Sequence, residues 1–102
     1  MLYQERAVVD EQSVADFFKA ISHPTRISIL RAVYNNNLCV SDISGMLHLN
    51  QPNTSQHLSI LKDKRILKKT KRGNEVCYKI RDESIMDLIG RAEKIIGDLE
   101  RE

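Results

Sequence analysis

Three features of the sequence predict a mainly α fold with one small β-ribbon. Apolar residues recur at helical spacing in five stretches. A Gly-Asn pair separates two short stretches that alternate apolar and polar residues. The chain has 102 residues, 41% hydrophobic and 29% charged, which suits a single folded domain rather than a disordered chain. A core this small gains from dimerisation, which covers more apolar surface.

Residues 1–10 show no period and are expected to form an arm ahead of a domain spanning 11–99. They carry Glu5, Arg6 and Asp10 and no apolar run, which argues against a secretory signal. With only two cysteines, too few for a secreted disulfide scaffold, the expectation is a cytoplasmic chain. No apolar run approaches the roughly 18 residues that a membrane helix needs, so no membrane partner is expected.

Val14, Phe17, Phe18 and Ile21 follow the i, i+3, i+4, i+7 pattern and predict a first helix over 11–21. Ser22-His23-Pro24-Thr25 interrupts it. Pro24 suits the first turn of a second helix, where a missing N–H costs nothing, with Ser22 or His23 as cap. Ile27, Ile29, Leu30 and Val33 carry that helix to about Tyr34, and Asn35-Asn36-Asn37 is a turn. Leu38-Cys39-Val40 fits a small strand. Ser41 is the expected N-cap of a third helix, Asp42 to Leu47, with Ile43, Met46 and Leu47 facing inward. After the turn His48-Leu49-Asn50, a fourth helix runs from Gln51 to about Lys64, with Pro52 in its first turn. Two helices joined by so short a turn match a helix-turn-helix.

Ile66–Lys71 and Glu75–Ile80 flank Arg72-Gly73-Asn74 and predict a β-hairpin. Asp82 then caps a closing helix to about Leu99, with Ile85, Leu88, Ile89, Ala92, Ile95, Ile96 and Leu99 apolar. The order helix, helix, short strand, helix, helix, hairpin, helix is that of a winged helix-turn-helix.

Charge is segregated along this order. Residues 1–50 carry net −1, residues 51–81 net +7 and residues 82–102 net −4. The basic segment covers the fourth helix and the hairpin, as expected of a surface that meets a polyanion. The fourth helix begins with Gln51, Asn53, Ser55 and Gln56, whose side chains donate and accept hydrogen bonds. Amides can pair bidentately with adenine, so these four are candidates for reading base edges in duplex DNA. Thr54 is a further candidate, for a thymine methyl or a phosphate, or alternatively a residue facing the neighbouring helix. Asn50 reads as the helix cap. Lys62, Lys64, Lys69, Lys71 and Arg72 are candidates for phosphates, and Arg72 also for a minor groove.

With those residues in view, the chain resembles the ArsR/SmtB family of small bacterial and archaeal winged-helix repressors. His23-Pro24-Thr25-Arg26-Ile27-Ser28-Ile29-Leu30 is similar to the family's H/D-x-x-R stretch in the second core helix. Gln51 to Lys62 looks like its recognition helix, Q-S-x-V-S-x-H-L-x-x-L. Arg72 to Ile80 resembles its wing, R-x-G-x-x-x-Y-x-L. Pro52 stands where the family often has Ser, and Thr54 where it often has Val. The resemblance implies a homodimer formed by the first and last helices, binding an imperfect palindrome and blocking transcription. It also implies a half-buried, structural His57.

Many members of the family sense metals through a C-V-C-D pattern at the third helix, matched here by Cys39-Val40-Ser41-Asp42. One thiolate does not make a tight soft-metal site. Others use a D-x-H pair and a later H-x-x-H/E pair in the closing helix. Here Asp82 matches, but Ser84, Ile95 and Asp98 fill the other positions, so neither metal nor cofactor is expected. Strands lie roughly 5 Å apart, and pairing of Leu38–Val40 with the returning wing strand would bring Cys39 beside Cys77. The effector stays unidentified, and a thiol-reactive one, redox, persulfide or metalloid, is one reading open through Cys39 and Cys77. Two inert buried cysteines fit the same residues.

Another class remains open, a winged-helix interaction module whose basic face meets an acidic protein partner. An enzyme is not expected. The sequence offers no nucleophile–base set, no paired carboxylates and no Gly-rich phosphate loop.

Overall fold

The computed structural model describes residues 8–102. Most of the expected arm, residues 1–7, lies outside the described residues. Five helices and a three-stranded antiparallel sheet follow in the order α1 (Glu11–Ile21), α2 (Pro24–Val33), β1 (Leu38–Cys39), α3 (Val40–Leu47), α4 (Gln51–Asp63), β2 (Leu67–Arg72), β3 (Glu75–Ile80) and α5 (Ser84–Glu100). This is a winged helix-turn-helix.

Local chemistry sets most boundaries. Asp10 caps α1 by accepting from the Ser13 N–H. His23 caps α2 through its ring, whose Nδ1 accepts from the Thr25 N–H at 3.0 Å. Asn50 caps α4, accepting from the Asn53 N–H at 2.8 Å. The N-cap of α5 is Glu83 rather than the expected Asp82, which instead accepts from both the N–H and the hydroxyl of Ser84, the first helical residue.

Two expectations about α3 are corrected. Its N-cap is Cys39, not Ser41, and the Cys39 N–H donates to the Asp42 carboxylate at 3.0 Å. Met46 does not face inward and is 54% exposed, whereas Ser44 is buried. His48 closes α3 in the left-handed region, with φ 56°.

Ile29, Leu30 and Val33 of α2, Ile43 of α3, and Leu58 and Leu61 of α4 meet in the core. Ile66, Leu67, Tyr78 and Ile80 close it from the sheet side, and Ile85 and Ile89 from α5. The sheet order is β1-β3-β2, with β3 in the middle. Gly73 turns the hairpin at φ 63°, a conformation that costs a residue with a Cβ but not glycine. β3 pairs Leu38 with Tyr78 and Cys39 with Cys77 on one side, and Leu67 with Ile80 through Arg72 with Glu75 on the other.

Candidate nucleic-acid interface

Helix α4 has two faces because its apolar residues and Thr54 share one stripe. Thr54, Leu58 and Leu61 are fully buried. Gln51, Ser55, Gln56 and Ser59 are exposed on the remaining surface, and Asn53 is half-buried beside its cap. Four of the five expected readout residues therefore lie on the open part of the helix. Thr54 does not, and its expected contact with a base or phosphate is corrected. Its hydroxyl accepts from Ser44 Oγ and donates to the Asn50 carbonyl, both at 3.0 Å. It joins the two helices of the helix-turn-helix from inside.

The cations follow two patterns. Lys64, Lys69 and Lys71 are exposed and have no ion-pair partner among the described residues. Lys62 is half-buried, 3.3 Å from Asp63. Arg72 ends β2 beside the hairpin turn and folds back over β1. Its guanidinium donates to Cys39 Sγ at 3.2 Å and to Asp42 at 3.4 Å, and lies 4.0 Å from Glu75. It also reaches the Asn37 carbonyl, while the Asn37 side chain accepts from the Thr70 hydroxyl at 2.8 Å.

The two cysteines are brought together. Cys39 and Cys77 are directly opposed across β1 and β3, with Cα atoms 3.7 Å apart, and their sulfurs are bonded. Thr70 pairs with Cys77 from the other side, so one row crosses the whole sheet. A cavity of about 210 Å³ opens beside this row, lined by Cys39, Val40, Ser41, Gln51, Glu75 and Val76.

Beneath α4, Arg26 Nη1 lies 3.2 Å from His57 Nδ1, and the His23 and His57 rings are 4.6 Å apart. Burial, then His23, then Arg26 hold the His57 imidazole below its ordinary pKa. A neutral ring that accepts from Arg26 fits this environment. Burial likewise raises the Tyr78 hydroxyl, and nearby Lys62 partly offsets it.

Sequence reasoning missed the contacts that Ser44, Asn37 and Arg26 make. A buried hydroxyl pair such as Ser44 with Thr54 leaves only a polar residue at an apolar position as its signal. Asn37 meets Thr70 and Arg72 more than thirty residues away, and no local period encodes that.

A short helix pair with an amide-bearing second helix and a basic wing defines a winged-helix regulator by class. The sequence profile described as "Bacterial regulatory protein, arsR family" matches residues 23–69. A helix-turn-helix-type transcriptional regulator of Methanocaldococcus jannaschii is 36% identical over 89 residues, covering 86% of this chain and 96% of that protein. The chain belongs to the arsR family.

A transcriptional repressor SmtB homolog of Synechocystis is 31% identical over 77 residues, covering 76% of this chain. The chain spans 58% of that relative's length. Among solved structures, a homodimeric winged helix-turn-helix DNA-binding domain from Mycobacterium bovis superposes with a TM-score of 0.76. It is 20% identical and covers 91% of this chain and 92% of its own. Among the described residues no group of three or more His, Cys, Asp or Glu side chains is placed to hold a metal ion, and no helix is long and apolar enough to cross a membrane.

Proposed function

We propose that this chain is a homodimeric repressor that binds an imperfect palindrome in duplex DNA and is released by a thiol-reactive signal. One observation carries the DNA half. The amide face of α4, Gln51, Asn53, Ser55 and Gln56, is turned outward while Thr54, Leu58 and Leu61 anchor the opposite stripe. Those four side chains read base edges in the major groove. Lys62, Lys64, Lys69 and Lys71 hold phosphates, and Arg72 reaches the backbone or minor groove beside the wing on leaving the contacts it makes here with Cys39 and Asp42.

Dimerisation through α1 and α5 is supported by the apolar surface they leave uncovered. Val14, Phe18, Ile95, Ile96 and Leu99 are all exposed. Phe18, Ile21, Ile27, Leu88, Ala92 and Ile96 line an apolar groove between α1, α2 and α5. Two copies related by a two-fold axis cover such a face with itself, and two α4 helices then match a palindrome. The SmtB homolog and the homodimeric Mycobacterium bovis domain are consistent with this reading.

The signal acts at Cys39 and Cys77. Bonding or bridging them fixes the wing strand against the start of α3, and opening them frees it. Redox agents, persulfides and metalloids are the chemistries that convert such a pair.

Selection of duplexes from a random-sequence pool tests the DNA half. A palindromic consensus is expected, with the logarithm of affinity falling linearly against the logarithm of salt concentration. Each phosphate contact contributes a slope of about −0.9, so five cations per protomer approach about −9 for a dimer. Gln56→Ala should weaken the consensus site by about 1–3 kcal/mol and leave non-specific binding unchanged. A flat salt dependence would refute this half. The sensing half requires that hydrogen peroxide or arsenite release the selected duplex, and that Cys39→Ser and Cys77→Ser each abolish that release.

A further inference from the structure

Resting on the thiol-sensing reading, we infer that the pair is chemically unequal: Cys39 is the attacking thiol, Cys77 the resolving thiol, and Arg72 the residue that keeps Cys39 ionised for a small neutral hydroperoxide. Four observations separate the two sulfurs. Cys39 lines the 210 Å³ cavity and Cys77, in the central strand, does not, although both residues are buried. Cys39 is the N-cap of α3, and the Asp42 backbone N–H at the helix start faces its side chain, an arrangement that favours an anion there. Arg72 Nη2 is 3.2 Å from the Cys39 sulfur. Thr70, uncharged, is the residue that β2 places opposite Cys77.

The charged groups around Cys39 come from every element packed on it. Asp42 of α3 and Glu75 of β3 compete for the Arg72 guanidinium, at 3.4 and 4.0 Å. The side chains of Asp42, Glu75 and Arg72 are 42%, 57% and 56% exposed, so water screens all three charges alike. Cys39 as a residue is 1% exposed, and Arg72 Nη2 approaches its sulfur at 3.2 Å, closer than either acid approaches the guanidinium. α4 contributes uncharged Gln51 to the cavity wall. Burial alone raises a thiol's pKa. Arg72 and the helix end oppose that rise at Cys39, and Cys77 lacks both.

The cavity also selects its reagent. Ser41, Gln51 and Glu75 give it polar walls, and the Glu75 carboxylate disfavours anions. A neutral peroxide fits. The reduced Cys39 thiolate attacks one peroxide oxygen, the O–O bond breaks, and the departing hydroxide takes a proton to become water. Cys39 is then a sulfenic acid. The Cys77 thiolate attacks that sulfur, the S–S bond forms, and the S–O bond breaks. The hydroxide released takes up the proton that Cys77 gave up. The two thiols lose two electrons, and one hydrogen peroxide is reduced to two waters.

The test is the pH dependence of iodoacetamide alkylation in the reduced full-length chain, with each cysteine followed by peptide mass spectrometry. In the wild type Cys39 should react ahead of Cys77 at neutral pH. In a Cys77→Ser background, Cys39 should titrate below the ordinary thiol value of about 8.5. Arg72→Gln should move that midpoint up by about one pH unit, slowing alkylation at neutral pH about tenfold, and Arg72→Lys should restore most of the loss. Faster labelling of Cys77, or a midpoint that ignores Arg72→Gln, overturns the inference. If the Arg72-dependent profile holds while peroxide leaves the selected duplex bound, the sensing reading fails and the assignment of Cys39 stands. If peroxide releases DNA through the pair but the profile ignores Arg72, the reverse is true.

Discussion

Thr54 shows what a single hydroxyl does when it is turned inward. It accepts a hydrogen bond from the Ser44 hydroxyl and donates one to the Asn50 carbonyl, so it ties α3, the turn and α4 together. Thr54→Val keeps the shape and strands the Ser44 hydroxyl, at a cost of about 1–3 kcal/mol in urea unfolding. The double change Ser44→Ala with Thr54→Val removes both polar partners and should recover most of that loss. DNA affinity per folded molecule should stay the same in both, because neither side chain reaches solvent. His57 makes a pH-dependent contribution on the same helix. Its pKa in the fold is depressed, so below the ordinary value of about 6.5 the unfolded chain binds a proton that the folded chain resists. Stability is therefore full above that value and falls as pH drops through it towards the lower folded value. Urea titrations between pH 8 and 5 should show this decline, and His57→Gln, which keeps an acceptor for Arg26, should flatten it.

At the scale of elements, legibility tracked locality. α1, α2 and α4 stand close to where period and caps place them, because Val14–Phe17–Phe18–Ile21, Pro24 and Asn50 act within one or two turns. The hairpin was legible from Gly73-Asn74 and the alternation of Val76, Tyr78 and Ile80. α3 was not, for two physical reasons. Its cap is a cysteine, a residue with little capping preference, chosen here because β1 delivers Cys39 to the helix start. Its inward face includes Ser44 rather than Met46, because a hydroxyl partner waits on α4. The readout face of α4 could be seen in the sequence, but the inward turn of Thr54 could not be separated from an outward one. That the strands of Cys39 and Cys77 are neighbours could be read from the usual strand order of a winged helix, whereas the register that opposes the two residues could not. The reach of Arg72 back to Cys39 depends on tertiary placement that no spacing records.

For the whole molecule, the apolar surface is distributed unevenly. α5 carries Ile95, Ile96 and Leu99 at 58%, 53% and 62% exposure, well beyond what its own domain covers. A buried Ile side chain is worth roughly 1.5–3 kcal/mol relative to an exposed one, and a two-fold interface counts each change twice. Ile96→Glu should therefore convert a dimer to a monomer in sedimentation at micromolar concentration. Circular dichroism should stay that of a folded chain, since the monomer core at Ile29, Leu30 and Leu58 does not include Ile96. Binding to a palindromic duplex should fall at least about 100-fold, because two half-sites are no longer linked. Unchanged sedimentation would show that α5 meets something other than its own copy.

The bond between Cys39 and Cys77 spans a sequence separation of 38 and encloses α3, the turn, α4 and β2. The segment that carries the DNA-facing residues is then a closed ring of chain with two tails. Closing a loop of that length restricts the unfolded ensemble by about 4 kcal/mol on the chain-entropy model. A ring also has no ends of its own. Proteolytic nicking at Gly73, at the tip of the wing, would leave both products on one molecule until a reductant arrives, and only then let the wing strand leave.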